Sequence, residues 1–243
     1  MTTTIAVANQ KGGVGKTTTV VNIAAYAALA GKQVLVVDID PQGNASSVLA
    51  PDYEGPCVFG GGEPRQTDTK GLHIIPRGDD LAHYEAQLAE RPTAAGLRGK
   101  LSEYLSRYDL ILIDCPPSLA ILPANALMAA DKLLIPIQCE YYAMEGLGQI
   151  TSFIMELAEH SGHEVELAGI AMTMYNDGQD LDRAVVKEVR EHFPGAVFKT
   201  QIPRDVALAA APSHGRSILA HDPLSPGGVA YLALTKELLD GIE

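Results

Sequence analysis

The sequence predicts an α/β fold: a doubly wound, mostly parallel sheet flanked by helices. Three observations carry this. Short apolar runs rich in Val, Ile and Leu recur along the chain, as at residues 34–37, 110–113 and 132–137. Unbroken runs of that kind suit parallel strands covered on both faces. Helix-length stretches with apolar residues three and four apart fall between them, and strand and helix alternate throughout. No internal repeat, linker or break in composition interrupts the series, so a single domain over 1–243 is expected, with right-handed crossovers.

The first run, Ile5-Ala6-Val7-Ala8, reads as a short buried strand. It leads into Asn9-Gln10-Lys11-Gly12-Gly13-Val14-Gly15-Lys16-Thr17-Thr18-Thr19, and a helical pattern over 17–30 follows, stopped by Gly31. Strand 34–37 ends in Asp38-Ile39-Asp40-Pro41-Gln42-Gly43-Asn44. Residues 51–71, rich in Gly and Pro, read as a surface loop. A strand at 72–76 precedes helical patterns over 79–90 and 94–107. Strand 110–113 ends at Asp114-Cys115-Pro116-Pro117-Ser118. Then come a helix near 120–130, strand 132–137, helix 144–160, strand 167–172 and helix 179–193. Val197, Phe198 and Ile202 suggest a short edge strand, and 226–241 closes the chain as a helix.

Composition narrows the function class. Net charge is −12, from 18 basic and 30 acidic residues, which opposes non-specific binding to DNA or anionic lipid. The charge is uneven: between Arg183 and Arg216 six basic residues face three acidic ones. A solvated helix face with scattered loops and a phosphate-binding patch both explain that stretch. Cys57, Cys115 and Cys139 have neither disulfide nor metal spacing and read as small buried hydrophobes in a reducing compartment. No apolar run approaches a membrane span and the N-terminus carries no secretion signal, so a cytoplasmic location without membrane attachment is expected.

Strand, glycine-rich turn, then helix is the context a phosphate-binding loop requires. The glycines let backbone N–H groups close on an anion, and the helix adds the positive end of its dipole. Lys16 can reach the outer phosphates of ATP, and the Thr17 hydroxyl is placed to ligate Mg²⁺. Ligands in such sheets lie beyond the carboxyl ends of the strands, where Asp38, Asp40 and Asp114 also stand. Asp114 closes an apolar strand and can hold Mg²⁺ through a water; a turn or capping aspartate is the plainer alternative. Asp40 is the candidate for positioning an attacking water, since phosphoryl transfer asks chiefly for positioning and charge neutralisation. Asp38 reads as a group behind Mg²⁺ or Thr17, although a salt-bridged turn would also explain the Asp38–Asp40 pair. The stiff Cys-Pro-Pro that follows Asp114 suits a sensor of the γ-phosphate.

The loop departs from G-x-x-x-x-G-K-[ST]: Gln10 stands at its first glycine and a second lysine, Lys11, enters it. This resembles the deviant Walker A loop of the ParA/Soj and MinD ATPases, within the P-loop NTPases. The segments YDLILIDCPPS (108–118), IPIQCEYYAMEGL (135–147), the Ile202–Asp205 stretch and APSHG (211–215) extend the resemblance to ParA/Soj partition ATPases over nearly the whole chain. It implies an ATP- and Mg²⁺-dependent homodimer enclosing two nucleotides, in which Lys11 reaches the partner's nucleotide. Nucleotide contacts would then come from Lys11, Gly12, Gly13, Val14, Gly15, Lys16, Thr17 and Thr18, with adenine near Met174, Pro203 and Asp205. The resemblance further implies non-specific DNA binding by the ATP dimer, a nucleoid-associated bacterial location, and stimulation of hydrolysis by a ParB-like partner, so that DNA is segregated or positioned. Lys11, Lys16 and Asp40 are the catalytic candidates it supports; Thr17, Asp38 and Asp114 are those for the metal.

Relatives often carry basic residues after the Ile-Pro-Arg loop and in the turn before the last helix, and more helix in 51–71. Here those two stretches read Asp205-Val206-Ala207-Leu208-Ala209-Ala210 and Asp222-Pro223-Leu224-Ser225-Pro226-Gly227-Gly228. Arg204 and Arg216 remain as candidate DNA contacts. A switch that positions a protein cargo, with weak or absent DNA binding, therefore stays open. A MinD-like reading lacks its basic amphipathic tail at residues 236–243, and an iron–sulfur reductase reading lacks cysteines where a bridging cluster would need them.

Overall fold

The computed structural model describes residues 1–90 and 96–242. In chain order the first half holds β1 (Thr3–Val7), α1 (Lys16–Leu29), β2 (Val34–Asp38), α2 (Asn44–Leu49), β3 (Arg65–Gln66), β4 (Leu72–Ile75), α3 (Leu81–Glu90), α4 (Gly96–Leu101) and β5 (Leu110–Asp114). The second half holds α5 (Ile121–Ala129), β6 (Lys132–Gln138), α6 (Ala143–Ser161), β7 (Glu166–Thr173), α7 (Asp180–His192), α8 (Val206–Ala210), α9 (Ile218–His221) and α10 (Pro226–Ile242). The strands form one sheet in the order β3-β4-β2-β5-β1-β6-β7, parallel except for the β3–β4 pair.

Alternation within the strands explains the two layers of helices. Ile5, Val7, Val34, Val36, Leu110 and Leu112 point into one core, with α1 and α10 over it. Ala6, Leu35, Val37, Ile111 and Ile113 point into the other, with α5 and α6 over it. Every one of these side chains is buried. Each large aliphatic among them contributes about 1.5–3 kcal/mol by leaving water. That is why the strands read as continuous apolar runs rather than alternating ones.

The expected strands and long helices are present with ends shifted by one or two residues. Four local expectations change. The loop over 51–71 contains β3, held as an antiparallel edge by Arg65↔Ile74 and Gln66↔His73. The helix expected over 94–107 stops at Leu101 and continues as a 3₁₀ turn over Ser102–Tyr104, while 94–95 fall outside the described residues. Val197 and Pro203 make single parallel bridges to Ile170 and Tyr175 instead of a strand. The short helices α2, α8 and α9 stand where only connecting chain is expected.

Register places the site. Val7, Asp38 and Asp114 are aligned across β1, β5 and β2, so all three end at one level of the sheet. β1 lies between β5 and β6, where the chain turns from building one half of the sheet to the other. That reversal leaves a crevice beyond the strand ends.

Candidate functional site

The glycine-rich loop fills this crevice. Gly15 caps α1 in the left-handed region, at φ 89°, a conformation that L side chains rarely adopt. The first turn of α1 carries no acidic side chain to occupy its N–H groups. Two anchors that the sequence did not announce hold the loop to the far half of the sheet. The Asn9 side-chain amide donates to the Pro136 carbonyl (2.8 Å), and the Thr173 hydroxyl donates to the Val14 carbonyl (2.9 Å).

The two lysines behave differently. Lys16 is buried, and its ammonium donates to the Lys11 carbonyl at 3.0 Å. Burial lowers its pKa, against the opposing pull of Asp114 and Asp40. Lys11 is half-exposed; its N–H is fixed by Asn9 Oδ1 (3.0 Å) and its ammonium is paired with Glu140 at the entrance to α6. Thus Lys11 is engaged within its own chain.

The three aspartates divide just as clearly. Asp38 is fully engaged: its carboxylate accepts from the Asp40 N–H (3.0 Å), the Ser46 N–H (2.8 Å) and the Ser46 hydroxyl (2.6 Å). It orders the segment that carries Asp40, and Thr17 is not among its hydrogen-bond partners. Burial nevertheless raises its pKa to about 6. Asp40 is buried at the cavity wall and its Oδ1 accepts from the Gln42 N–H (2.9 Å). Asp114 is wholly buried, and among the described residues neither carboxylate oxygen is in hydrogen-bond contact, the Thr17 hydroxyl lying near without closing one. Burial first, then the Asp38 charge, raises its pKa well above the usual carboxylate range, and the Thr17 hydroxyl opposes this.

A buried orphan carboxylate is costly to leave unmade, on the order of 1–3 kcal/mol or more. Beside Thr17 and below a phosphate loop, its oxygens fit a hydrated divalent cation of the hard, oxygen-preferring kind. In the metal-free chain, Asp114→Asn should raise the melting temperature by about 2–4 °C if it recovers even ~1 kcal/mol. The pH dependence should flatten as well. The raised carboxyls of Asp38 and Asp114 bind protons in the folded state before they do in the unfolded chain, so stability from them grows as pH falls from neutral toward the unfolded value of 3.8. Thermal scans at several pH values, with and without magnesium and nucleotide, would check both effects; an unchanged apo melting temperature would contradict the account.

A cavity of about 380 Å³ opens over these groups, lined by Gly12, Gly13, Gly15, Lys16, Thr17, Thr18 and Asp40 on one side and by Met174, Leu208, Pro212 and Arg216 on the other. A hollow of about 170 Å³ adjoins it, lined by Met174, Pro203, Arg204 and Asp205, and shares Gly15, Thr18, Met174 and Leu208 with the first. Of the expected phosphate and adenine residues, Gly12, Gly13, Gly15, Lys16, Thr17, Thr18, Met174, Pro203 and Asp205 are thus brought to one continuous depression, whereas Lys11 and the buried Val14 do not line it. Met174 is there at φ 54°, the one non-glycine at positive φ among the described residues. Asp205 spends both oxygens on backbone, accepting from Ala207 N–H (2.9 Å) and Gly227 N–H (2.7 Å). Burial pushes its carboxyl up, but those donors outweigh it and hold the pKa below the ordinary value.

Three of the six basic residues over 183–216, all on α7, are engaged close by. Arg183 pairs with Asp180, Lys187 with Glu191 (3.8 Å), and Arg190 reaches the Phe198 and Lys199 carbonyls (3.4 Å each). Arg204 and Arg216 are exposed; Arg216 also lines the main cavity. Where relatives were expected to carry basic residues, Val206 and Leu224 stand 84% and 86% exposed. The three thiols are buried; burial pushes Cys57 to about 11 and Cys139 to about 12, and raises Cys115 well above its ordinary value, so none is a ready thiolate. No described helix is long and apolar enough to cross a membrane.

The family model of an AAA domain matches residues 2–55 and 62–167. The chain is 44% identical to the sporulation initiation inhibitor protein Soj of Bacillus subtilis, over 96% of this chain and 97% of that protein. It is 45% identical to the chromosome-partitioning ATPase Soj of Thermus thermophilus, over 98% and 96%. Among solved structures, cobyrinic acid a,c-diamide synthase of Mycobacterium smegmatis with bound ATP analog and magnesium superposes with a TM-score of 0.86 at 33% identity, covering 100% of this chain and 96% of that one. The septum site-determining protein MinD of Pyrococcus horikoshii, complexed with Mg-ADP, shares the fold at a TM-score of 0.81 and 23% identity, over 100% and 98%. With its two-lysine phosphate loop at the switch point of the sheet and full-length likeness to Soj, the chain belongs to the ParA/Soj family of chromosome-partitioning ATPases.

Proposed function

We propose that this ATPase works as a nucleotide-gated dimer: Mg²⁺-ATP closes two subunits around two nucleotides, the dimer binds DNA non-specifically, and hydrolysis, stimulated by a ParB-like partner, releases it. The observation that carries the reading is a buried Lys16 within the field of an orphaned Asp114 at the base of the glycine loop. Gly12 to Thr18 hold the phosphates, Thr17 and Asp114 the hydrated magnesium, and Asp40 positions the attacking water. When bound, the metal neutralises charge on the phosphate oxygens. Lys11 serves the partner's nucleotide, for which it must leave Glu140. An exposed ion pair of this kind is worth about 0–1 kcal/mol, so an incoming phosphate can displace it.

Lys11→Ala separates gripping from pairing. The variant should bind ATP within a few-fold of wild type yet elute as a monomer from size exclusion with a non-hydrolysable analog, while wild type elutes as a dimer. A Lys11→Ala dimer of normal affinity would remove the trans role.

The exposed Val206 and Leu224 favour a second reading, in which the same switch positions a protein cargo. Each missing basic side chain removes roughly one phosphate contact. A salt titration of ATP-dependent DNA binding by wild type, Arg204→Ala and Arg216→Ala decides between them. Binding that weakens with salt and with either substitution supports DNA as the surface; no binding even at low salt supports the cargo switch.

A further inference from the structure

We infer that Arg77 is a positioning residue for hydrolysis, a brace that fixes the turn carrying Asp40 against the nucleotide cavity. The inference rests on the role proposed for Asp40. Arg77 follows β4, whose Ile75 is registered on Val37 of β2, so it emerges beside the segment over 38–46. From there it grips that segment at two points. Its guanidinium Nη1 donates to the Pro41 carbonyl (3.1 Å), next in the chain to Asp40. Its backbone N–H donates to Ser46 Oγ (2.8 Å), and that hydroxyl in turn donates to Asp38 (2.6 Å), which also accepts the Asp40 N–H.

The turn's own bonds shape it without tethering it. Gly43 N–H donates to the Asp40 carbonyl (2.8 Å) and Gln42 N–H to Asp40 Oδ1 (2.9 Å), both inside the four-residue turn. Gly43 has φ +62°, and a Cβ built there would meet Arg77 Nε at 3.0 Å and Cδ at 3.1 Å. The arginine stem therefore crosses directly over backbone that carries no side chain. The other partner of the guanidinium, Asp79, lies at 3.4 Å and is largely exposed, so that pair adds little. Asp40, Gln42 and Asn44 all line the cavity, so slack in this turn is slack at the reacting phosphate. A displacement of about 1 Å in such a group can slow chemistry by up to ~100-fold.

The test is steady-state ATP hydrolysis with the full chain, alongside thermal melting. Arg77→Ala should lower kcat about tenfold with KM for ATP within about twofold, the signature of a contact that matters in the transition state. Arg77→Lys, which can still donate to the Pro41 carbonyl, should recover part of the loss; Asp79→Asn should match wild type. In an Asp40→Asn background, Arg77→Ala should add no further loss, because both act through one carboxylate. Wild-type kcat in Arg77→Ala, with Asp40→Asn slow, overturns the inference and leaves the Asp40 role standing. So does a multiplicative loss in the double variant, or a rise in KM with a lowered melting temperature that lysine fails to restore. Wild-type turnover in Asp40→Asn itself removes the Asp40 role, and the brace with it.

Discussion

Lys16→Ala is expected to reduce nucleotide affinity by about 10²–10³-fold. The ammonium is buried, it donates to the Lys11 carbonyl, and Asp114 and Asp40 lie within its field. Among the described lining residues it is the buried cation, Arg216 being exposed, in a site that must accept a polyanion above two carboxylates. Truncating one partner of a buried charge pair typically costs about 2–5 kcal/mol, and each 1.4 kcal/mol is about tenfold in affinity. The loss has two parts: the phosphates lose their counter-charge, and the carboxylates repel them unopposed. Titration of a fluorescent ATP analog against wild type and Lys16→Ala, with magnesium present, measures the sum. The melting temperature of the apo variant distinguishes a binding defect from an unfolded one, because burial already works against the charged lysine. Affinity within tenfold of wild type would mean that backbone N–H groups and the α1 dipole carry the phosphates by themselves.

The parts of this site that were legible in the sequence are those whose chemistry is fixed by backbone geometry. Gly13 and Gly15 occupy positive φ, so the loop had to show glycine there. Asp38 and Asp114 close apolar strands, and parallel pairing carries both to the same level. What was hidden depends on partners far away in the chain. Asn9 meets Pro136, Thr173 meets Val14, and Lys11 meets Glu140, none of which any local spacing signals. Asp38 shows the same limit: its position was readable, but the Ser46 contacts that engage it lie on a helix of six residues, too short to register as a period. Helices α8 and α9, of five and four residues, escaped for that reason. β3 escaped because its two residues gain strand form only by pairing with β4. The basic stretch over 183–216 carried its own answer. Asp180–Arg183 and Lys187–Glu191 stand three and four apart on α7, the spacing at which a helix neutralises its own charges.

Asp40→Ala should leave ATP bound and nearly unhydrolysed, with turnover lower by about 10²–10³-fold, within the range general-base and positioning groups supply. Its surroundings separate this residue from its neighbours. Asp38 is spent on Ser46 and the Asp40 N–H, and Asp114 lies wholly buried at the end of β5. Asp40 alone of the three lines the cavity, using one oxygen for the Gln42 N–H. Its second oxygen is the one available to a water beside the terminal phosphate. Alanine removes the turn contact as well as the charge, so Asp40→Asn is the cleaner probe: the amide oxygen can still accept from Gln42, while the negative charge is gone. If charge and orientation of the water limit hydrolysis, both variants should be slow in single turnover, with ATP affinity within a few-fold of wild type. Both should also accumulate the ATP-loaded dimer on size exclusion, because the step that empties it is blocked. An Asp40→Asn variant that hydrolyses at the wild-type rate would transfer the water to another group, and a slow variant that also loses ATP would make Asp40 a binding residue instead.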